Sequence, residues 1–262
     1  MLSLSPYLAN IFIYPIKSFD GFATTQATIL TSGALEHDRE FALFDQKGNF
    51  VNGKRNPRIH LLRSSLDVDL RILTVQIQNK SEKFVFHIDK ERRELEKWLC
   101  NYFGLTIKFV QNSLTGFPDD TEASGPTIIS IATLETVASW FPELSVDEVR
   151  RRMRTNLEID GVPPFWEEQL FSEENSSVHF QVGDVTFTGT NPCQRCVVPT
   201  RNSKTGEAFP QFQKIFIAKR RESLPSWTTL TRFNHFYRLA VNTKVFDSEA
   251  GKTLKVGNPV KV

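Results

Sequence analysis

The chain has few cysteines, and their scarcity restricts the classes of protein it can belong to. Only three occur in 262 residues. Three cysteines cannot build a disulfide framework, and such low usage is typical of a reducing compartment. We therefore expect a cytoplasmic protein whose core is stabilised by hydrophobic packing.

The sequence also lacks a strong charge imbalance and a long apolar run. Its formal net charge is +2, which gives no indication of general nucleic-acid binding. The apolar run at 11–16 is interrupted by Pro15, is followed by Lys17 and has no basic residues before it. It is too short to cross a bilayer and does not have the order of a signal peptide. We expect no membrane span and no nucleic-acid partner.

Aromatic residues are plentiful, in contrast to methionine. The chain has 22 phenylalanines and two methionines, and hydrophobic residues make up 40% of it. This length and composition suffice for one large or two modest globular domains with aromatic-rich cores.

Short runs rich in β-branched and aromatic residues predict a β-rich fold. Asp45 to Asn49 has the composition of a hairpin turn between two of these runs. The predicted strands are 8–15, 24–30, 40–44, 59–65, 73–78, 84–88, 178–181, 185–190, 195–198 and 260–262.

A few segments change to helical periodicity. Residues 92–103 carry apolar side chains on one helical face, and Gly104 can end that helix. A second helix is predicted at 133–140. A third begins at Ser145, which forms a capping-box pattern with Glu148. The turn-rich stretch between these regions predicts two domains, 1–120 and 121–262.

The segment 193–196 has the pattern Cys-Gln-Arg-Cys. Arg195 places a positive charge beside Cys196, which favours a sulfur that acts as a nucleophile or a soft metal ligand. A thioredoxin-like helix is disfavoured because the next residues, Val-Val-Pro-Thr, predict a strand and a turn.

Zinc binding would need further ligands at a suitable spacing, and the chain has no second CxxC. The remaining cysteine, Cys100, lies on a predicted amphipathic helix, where core packing is the simpler role. Two interpretations of the pair stay open. It provides an exposed sulfur for a metal or for nucleophilic attack, or it consists of two small residues packed beside a turn.

Basic residues beside hydroxyl and amide side chains recur where predicted strands end. They lie at 14–18, 37–39, 53–57 and 154–156. Arginine and lysine with serine or asparagine are suitable donors for anionic oxygens. Each group alone is also compatible with an ordinary solvated surface. The sequence does not decide whether the four groups meet in space.

These segments together resemble the MOSC-domain family with its N-terminal β-barrel domain. That family includes the C-terminal domain of molybdenum cofactor sulfurase and the mitochondrial amidoxime-reducing component. The resemblance implies a β-rich α+β fold, in which a MOSC β-barrel domain packs against an N-terminal β-barrel-like domain with few helices. The matching segments are 14–18, 37–41, 54–58, 154–157, 160–165, 182–184, 193–196, 205–207 and 255–260.

The same resemblance implies a molybdenum–molybdopterin cofactor. Cys196 matches the family cysteine that ligates molybdenum, and it is our candidate metal ligand and catalytic residue. A second set of residues matches family positions that hold the pterin and its phosphate. These candidate cofactor-binding residues are Lys17, Ser18, Arg39, Arg154 and Asn156.

For the activity, the resemblance leaves two main hypotheses. The first is an oxidoreductase that reduces N-hydroxylated or other N–O small molecules. Its electrons would come from a separate electron-transfer protein, because three cysteines do not supply a [2Fe–2S] cluster. The alternative is a molybdenum cofactor or sulfur carrier that uses a Cys196 persulfide and a cofactor-biosynthesis partner. A dithiol redox protein using Cys193 and Cys196 is a third, less favoured hypothesis.

Overall fold

The computed structural model describes residues 5–174 and 176–262. Over these residues it has fifteen β-strands and four α-helices. The strands are β1 (Tyr7–Ile13), β2 (Phe22–Thr24), β3 (Gln26–Thr28), β4 (Phe41–Asp45), β5 (Leu62–Asp67), β6 (Ile72–Ile77), β7 (Lys83–His87), β8 (Ile107–Gln111), β9 (Ile128–Ser130), β10 (Leu157–Asp160), β11 (Val178–Val182), β12 (Val185–Gln194), β13 (Arg238–Val245), β14 (Thr253–Lys255) and β15 (Val260–Lys261). The helices are α1 (Arg92–Phe103), α2 (Ile131–Ser139), α3 (Val146–Met153) and α4 (Phe212–Glu222).

The largest sheet combines strands from both ends of the chain. Its order is β15-β11-β12-β13-β9-β10-β1-β2. Strand β1 pairs antiparallel with β10, which places Ile11 opposite Leu157. The first strand therefore completes a sheet made mostly by the second half of the chain. This pairing brings the loop that follows β1 close to the loop that precedes β10.

The first half of the chain forms smaller sheets around its own core. Strands β4 and β8 make one pair, and β5, β6 and β7 make a three-stranded sheet. Helix α1 packs against these sheets through Leu95 and Leu99, which are fully buried. Phe41 and Phe109 stack in the same core with their ring centroids 4.9 Å apart. Two further apolar clusters lie under the large sheet and among helices α2, α3 and α4.

The predicted β-rich α+β class is confirmed. In the part of the chain that is described, the sheets are open and do not close into barrels. The division at residue 120 stays a prediction. Part of the expected absence of a signal peptide concerns residues 1–4, which lie outside the described residues.

Several local predictions are confirmed. The helix at 92–103 has the predicted bounds, and Gly104 ends it in the left-handed conformation with φ 69°. Ser145 caps α3, since its side chain accepts a hydrogen bond from the backbone N–H of Glu148. The Glu148 carboxylate binds Arg152 and Ser203 instead of completing the capping box.

The strand predicted at 195–198 is wrong. β12 ends at Gln194, and Val198–Thr200 forms a 3₁₀ turn. Pro199 lies at the start of this turn, where its fixed φ angle and missing N–H are tolerated. The β-branched pair before it suggested a strand, but the tertiary fold outweighed this local propensity. The turn is too short to form a thioredoxin-like helix after the cysteines.

Two further strand predictions need correction. The segment 59–65 begins in a 3₁₀ helix, Pro57–Leu61, and only its second part is in β5. Asn56 caps that helix by accepting from the backbone N–H of Arg58. The segment 24–30 is divided between β2 and β3, which belong to different sheets.

Other elements were not predicted, among them β8, β9, β13 and α4. In the described ranges, no helix is long and apolar enough to cross a membrane.

Candidate functional site

A cavity of about 930 Å³ lies between the two halves of the chain. Its walls come from the loops after β1 and before β4, from the end of α3 and from the cysteine segment. All six residues singled out from the sequence line it, so the structure brings them together. They are Lys17, Ser18, Arg39, Arg154, Asn156 and Cys196.

The cavity lining is strongly cationic. Eleven lysine and arginine residues line it, against four aspartates. Most of these cations come from α3, from the residue after it and from the loops on either side of the cysteines. The α3 arginines of this set are paired with carboxylates outside the lining, so the excess positive charge that favours an anionic ligand comes from the other cations.

Tyr14 organises two of the arginines. Its ring is contacted by the guanidinium of Arg154 at 4.2 Å and by that of Arg39 at 4.9 Å, measured to the ring centroid. The aromatic face attracts both cations. The Tyr14 hydroxyl donates to the carbonyl of Thr155 at 3.3 Å. Burial raises the pKa of Tyr14 to about 12, although the neighbouring arginine charges oppose this.

Arg39 connects the two halves of the chain. Its guanidinium forms an ion pair with Asp38 and donates to Asn156 Oδ1 at 3.0 Å and to the carbonyl of Arg154 at 3.1 Å. Burial favours the neutral form, but the charge and hydrogen bond of Asp38 outweigh it and raise the pKa of Arg39. Arg39 thus has most of its donors engaged by the protein and fixes the shape of the cavity.

Arg154 occupies an unusual backbone position and keeps a free donor. It ends α3 in the left-handed region, with φ 55° and ψ 41°. This geometry turns its side chain back toward the first half, where Nη1 donates to the carbonyl of Phe19 at 2.7 Å. Its Nη2 is buried without any hydrogen-bond partner among the described residues. Burial lowers the pKa of Arg154.

Lys17 and Ser18 lie in the turn after β1. The Lys17 ammonium donates to the carbonyl of Phe117 at 2.8 Å and to Asp119 Oδ1 at 2.7 Å. Burial lowers the pKa of Lys17, and the Asp119 charge partly offsets this effect. The Asp119 side chain is 73% exposed, so water screens this ion pair and an anionic ligand can compete for the lysine. Ser18 has a φ angle of 72°.

The amide of Asn156 is already engaged by the protein. Its Oδ1 accepts from Arg39 and from the backbone and hydroxyl of Thr127. Its Nδ2 donates to the carbonyl of Phe12 at 3.0 Å. Asn156 is 2% exposed. In this geometry it orients Arg39 at the cavity wall, and direct contact with a ligand stays a prediction.

Cys196 follows the end of β12 and is partly exposed in the cavity wall. The backbone N–H of Val198 donates to its sulfur at 3.4 Å. The Arg195 guanidinium donates instead to the carbonyls of Leu239 and Met153. Arg195 therefore ties the cysteine loop to β13 and to the end of α3. Cys193 also lines the cavity, whereas Cys100 packs beside the core of the first half.

Sequence reasoning missed several residues with a role in the cavity. Tyr14 and Asp38 lie inside the basic segments 14–18 and 37–39, so their position near Lys17 and Arg39 was an available signal. His60 and Arg201 carried no such signal, because only the fold brings the 57–61 helix against the loop after the cysteines.

The described part of the chain has no group of three His, Cys, Asp or Glu side chains arranged to hold a metal ion. Cys193 and Cys196 both face the cavity with a soft donor atom, and Cys196 is the one that the sequence singled out.

Comparison with known families agrees with this geometry. Residues 5–110 match the MOSC N-terminal beta barrel domain, and residues 125–261 match the MOSC domain. The chain therefore belongs to the MOSC-domain family. The predicted boundary at residue 120 falls in the interval between the two matches.

Curated relatives are named molybdenum cofactor sulfurase. The chain is 28% identical over 240 residues to the Drosophila mojavensis protein, covering 79% of this chain and 29% of the relative. It is 23% identical to the Arabidopsis thaliana protein over 249 residues, which covers 77% of this chain and 29% of that relative. It is 23% identical to the Homo sapiens protein over 262 residues, which covers 81% of this chain and 29% of that relative. The chain thus spans less than a third of the length of these relatives.

Proposed function

We propose that the chain binds the molybdenum cofactor in the cavity between its two halves, with the Cys196 sulfur facing the bound cofactor. The observation that carries this proposal is the convergence of Cys196 with cationic side chains from both halves on one hollow. A cofactor that carries a phosphate and a thiophilic metal matches this combination of donors.

The residues present fit such a ligand. The orphaned Nη2 of Arg154 is a buried donor that lacks a protein acceptor, and leaving it unpaired is costly. Arg154, Lys17 and Ser18 would hold the phosphate end, while Arg39 and Asn156 would fix the position of Arg154. When bound, the cofactor supplies a redox-active metal to which a cysteine sulfur can attach.

For the reaction, we propose sulfur or cofactor carriage in cofactor maturation, because the relatives are named for cofactor sulfuration. In this role Cys196 takes the outer sulfur of a persulfide donor. The S–S bond of the donor breaks, a new S–S bond forms on Cys196, and the donor leaves as a thiolate. No net oxidation occurs. The partner would be a cofactor-biosynthesis protein that supplies the persulfide.

Reduction of N–O compounds is the second candidate, and cavity size is the observation that favours it. At about 930 Å³, the cavity is near the upper end of the ~300–1,000 Å³ typical of small-molecule sites. This role needs electrons from a separate electron-transfer protein.

Cofactor binding is tested by the pterin content of the full chain purified from a host that makes the cofactor. Arg154→Gln removes the orphaned buried donor and is expected to lower pterin content about tenfold or more, because it deletes a charge-assisted contact. Arg55→Gln is the matched control, since Arg55 is exposed and does not line the cavity. Equal pterin content in both variants would refute this use of Arg154.

The two activities are separated by one experiment. The full chain is incubated with a cysteine desulfurase and cysteine, and a mass increase of one sulfur is sought on the peptide containing Cys196. Cys100 is the internal control for nonspecific sulfuration. The same preparation is assayed for N-hydroxylated substrate reduction with an artificial electron donor. A persulfide without reduction supports carriage, and reduction without a persulfide supports the second candidate.

A further inference from the structure

A second group of nitrogen-bearing side chains, one histidine and two arginines, lines the same cavity on different segments from Lys17 and Arg39. His60 and Arg63 come from the 57–61 helix and from β5, and Arg201 comes from the loop after the cysteines. None of the three was among the residues that the sequence assigned to the cofactor.

These residues have buried polar atoms without partners. Over the described residues, ten side-chain nitrogen or oxygen atoms are buried and unpaired, and three of them are His60 Nε2, Arg63 Nε and Arg201 Nε. Natively folded proteins leave few such atoms, and the two arginine Nε–H groups, which can only donate, lack an acceptor in the described part of this wall. Arg154 Nη2 is a fourth, and the Arg154 charge also acts on His60.

Packing places this group next to the Cys196 loop. A Cβ atom added at Gly53 would lie 3.1 Å from His60 Nε2 and 3.3 Å from Val198 Cγ2. Val198 in turn donates its backbone N–H to the sulfur of Cys196. The glycine therefore keeps a space open where His60 approaches the cysteine loop.

Both arginines are held by backbone carbonyls, and among the described residues only Arg63 of the two also has a carboxylate partner. Arg63 Nη2 donates to the carbonyls of His60 at 2.8 Å and Ser203 at 3.2 Å, and its Nη1 lies 3.3 Å from Asp20. Arg201 Nη1 donates to the carbonyl of Gly206 at 3.1 Å. In the described part of the chain, the hydrogen bond given for the Arg201 side chain is to this carbonyl and not to a carboxylate.

The pKa of His60 depends on its burial and on the positive charge of the neighbouring arginines. Burial lowers the pKa of His60 to about 4, and the charges of Arg201, Arg154 and Arg63 act in the same direction. The imidazole is therefore neutral at pH 7. A bound dianion would offset the arginine charges and allow His60 to take up a proton and donate a hydrogen bond to it.

We propose that His60, Arg63 and Arg201 form a second oxyanion subsite, which takes a phosphoryl group on a ligand bound beside Cys196. Arginine guanidinium groups suit phosphate oxygens, and the cavity is large enough for a ligand longer than a pterin with one phosphate. The group would belong either to an extended, nucleotide-bearing cofactor or to a phosphorylated substrate. The proposal rests on the proposed function only for the identity of that ligand.

The test uses the full chain from a host that does not make the cofactor, with inorganic phosphate as the probe. Binding is measured by calorimetry, and the His60 ring signals are followed by NMR and assigned with His60→Gln. We expect the pKa of His60 to rise when phosphate is added. Arg201→Gln is expected to weaken phosphate binding about tenfold or more, because a charged hydrogen-bond donor is lost.

Arg55→Gln makes the same charge change at an exposed residue outside the cavity and is expected to leave phosphate binding within about twofold. Phosphate affinity that falls equally in both variants would overturn the subsite. A His60 pKa that phosphate does not move would also overturn it, and this measurement needs only the wild-type fold.

Repeating the titration on cofactor-loaded protein identifies the source of the group. If loading abolishes phosphate binding that depends on Arg201, the cofactor itself carries the second oxyanion. If that binding persists, the subsite serves a phosphorylated substrate. Absence of molybdenum in the protein would refute the proposed function and leave the phosphate titration of the cofactor-free chain valid.

Discussion

The ion pair between Arg39 and Asp38 provides a sharp test of how the cavity is held together. The two side chains are only 16% and 10% exposed. Asp38 also accepts from the backbone N–H of Tyr14 at 2.9 Å, and Arg39 reaches across to Asn156 and Arg154. Replacing Arg39 by methionine keeps the hydrophobic stem and removes the charge, which leaves Asp38 as a buried, unpaired carboxylate.

The expected cost follows from that unpaired charge. Removing one partner of a buried pair costs about 3–5 kcal/mol, and the residual exposure here places Arg39→Met near ~3 kcal/mol. For a chain of this size, that corresponds to a melting temperature roughly 6–12 °C lower. The double variant Asp38→Asn with Arg39→Met keeps an acceptor for the Tyr14 N–H and removes the unpaired negative charge of the Asp38 carboxylate. It should recover about 2 kcal/mol.

The assay is differential scanning calorimetry of the four proteins in the double-mutant cycle, at one concentration and pH. Arg55→Met serves as the control for loss of an exposed arginine and should change stability by less than about 0.5 kcal/mol. The reasoning is refuted if Arg39→Met melts with the wild type. It is also refuted if the double variant is as unstable as the single one.

Three further changes should have distinct outcomes. Tyr14→Leu removes the ring shared by two guanidinium groups and should lower the free energy of unfolding by about 3 kcal/mol. Tyr14→Phe keeps the ring and should lower it by about 1 kcal/mol, both measured by urea denaturation. Between pH 4 and 6.5 the unfolded chain binds a proton at His60 that the folded chain does not, so stability should rise with pH over this window. His60→Gln should remove about 2 kcal/mol of that rise, after allowance for solvent screening. Parallel stability–pH profiles for the wild type and this variant would contradict the low pKa of His60. Gly189→Ala should destabilise the chain by about 3 kcal/mol or more, since its Cβ would lie 1.6 Å from the Leu170 carbonyl oxygen, and wild-type stability would disprove that contact.

Local signals in the sequence were sufficient for some elements. The helix at 92–103 has strong periodicity and a glycine at its end, and both features act over a few residues. The same holds for the serine cap of α3. The strand predicted at 195–198 was wrong because its β-branched residues lie in a turn whose conformation is set by Pro199 and by the contacts of Arg195.

The sequence located the cavity residues through motifs, but not the way they act. Arg39 and Asn156 were expected to contact a cofactor, whereas most of their polar atoms are engaged with the protein. Arg195 was expected to act on Cys196, yet its donors hold backbone carbonyls. Such partners are distant in sequence and depend on how β1 joins the sheet beside β10, which no local pattern specifies.

The wall formed by His60 and Arg201 illustrates the remaining difficulty. His60 alone resembles an ordinary partly exposed histidine and Arg201 an ordinary surface cation, and the two are far apart in sequence. Their proximity arises because the loop after the cysteines packs on the 57–61 helix, where a Cβ at Gly206 would lie 3.4 Å from the Cβ of His60. Only the folded chain shows that their buried donors lack partners.

The most direct measurement is the molybdenum and pterin content of the full chain purified from a host that makes the cofactor. The proposed site predicts close to one molybdenum and one pterin per chain. It also predicts that Cys196→Ser loses molybdenum, while Cys100→Ser, outside the cavity, retains it. Wild-type protein from that host without metal or pterin, or full molybdenum in Cys196→Ser, would contradict a cofactor held at this sulfur.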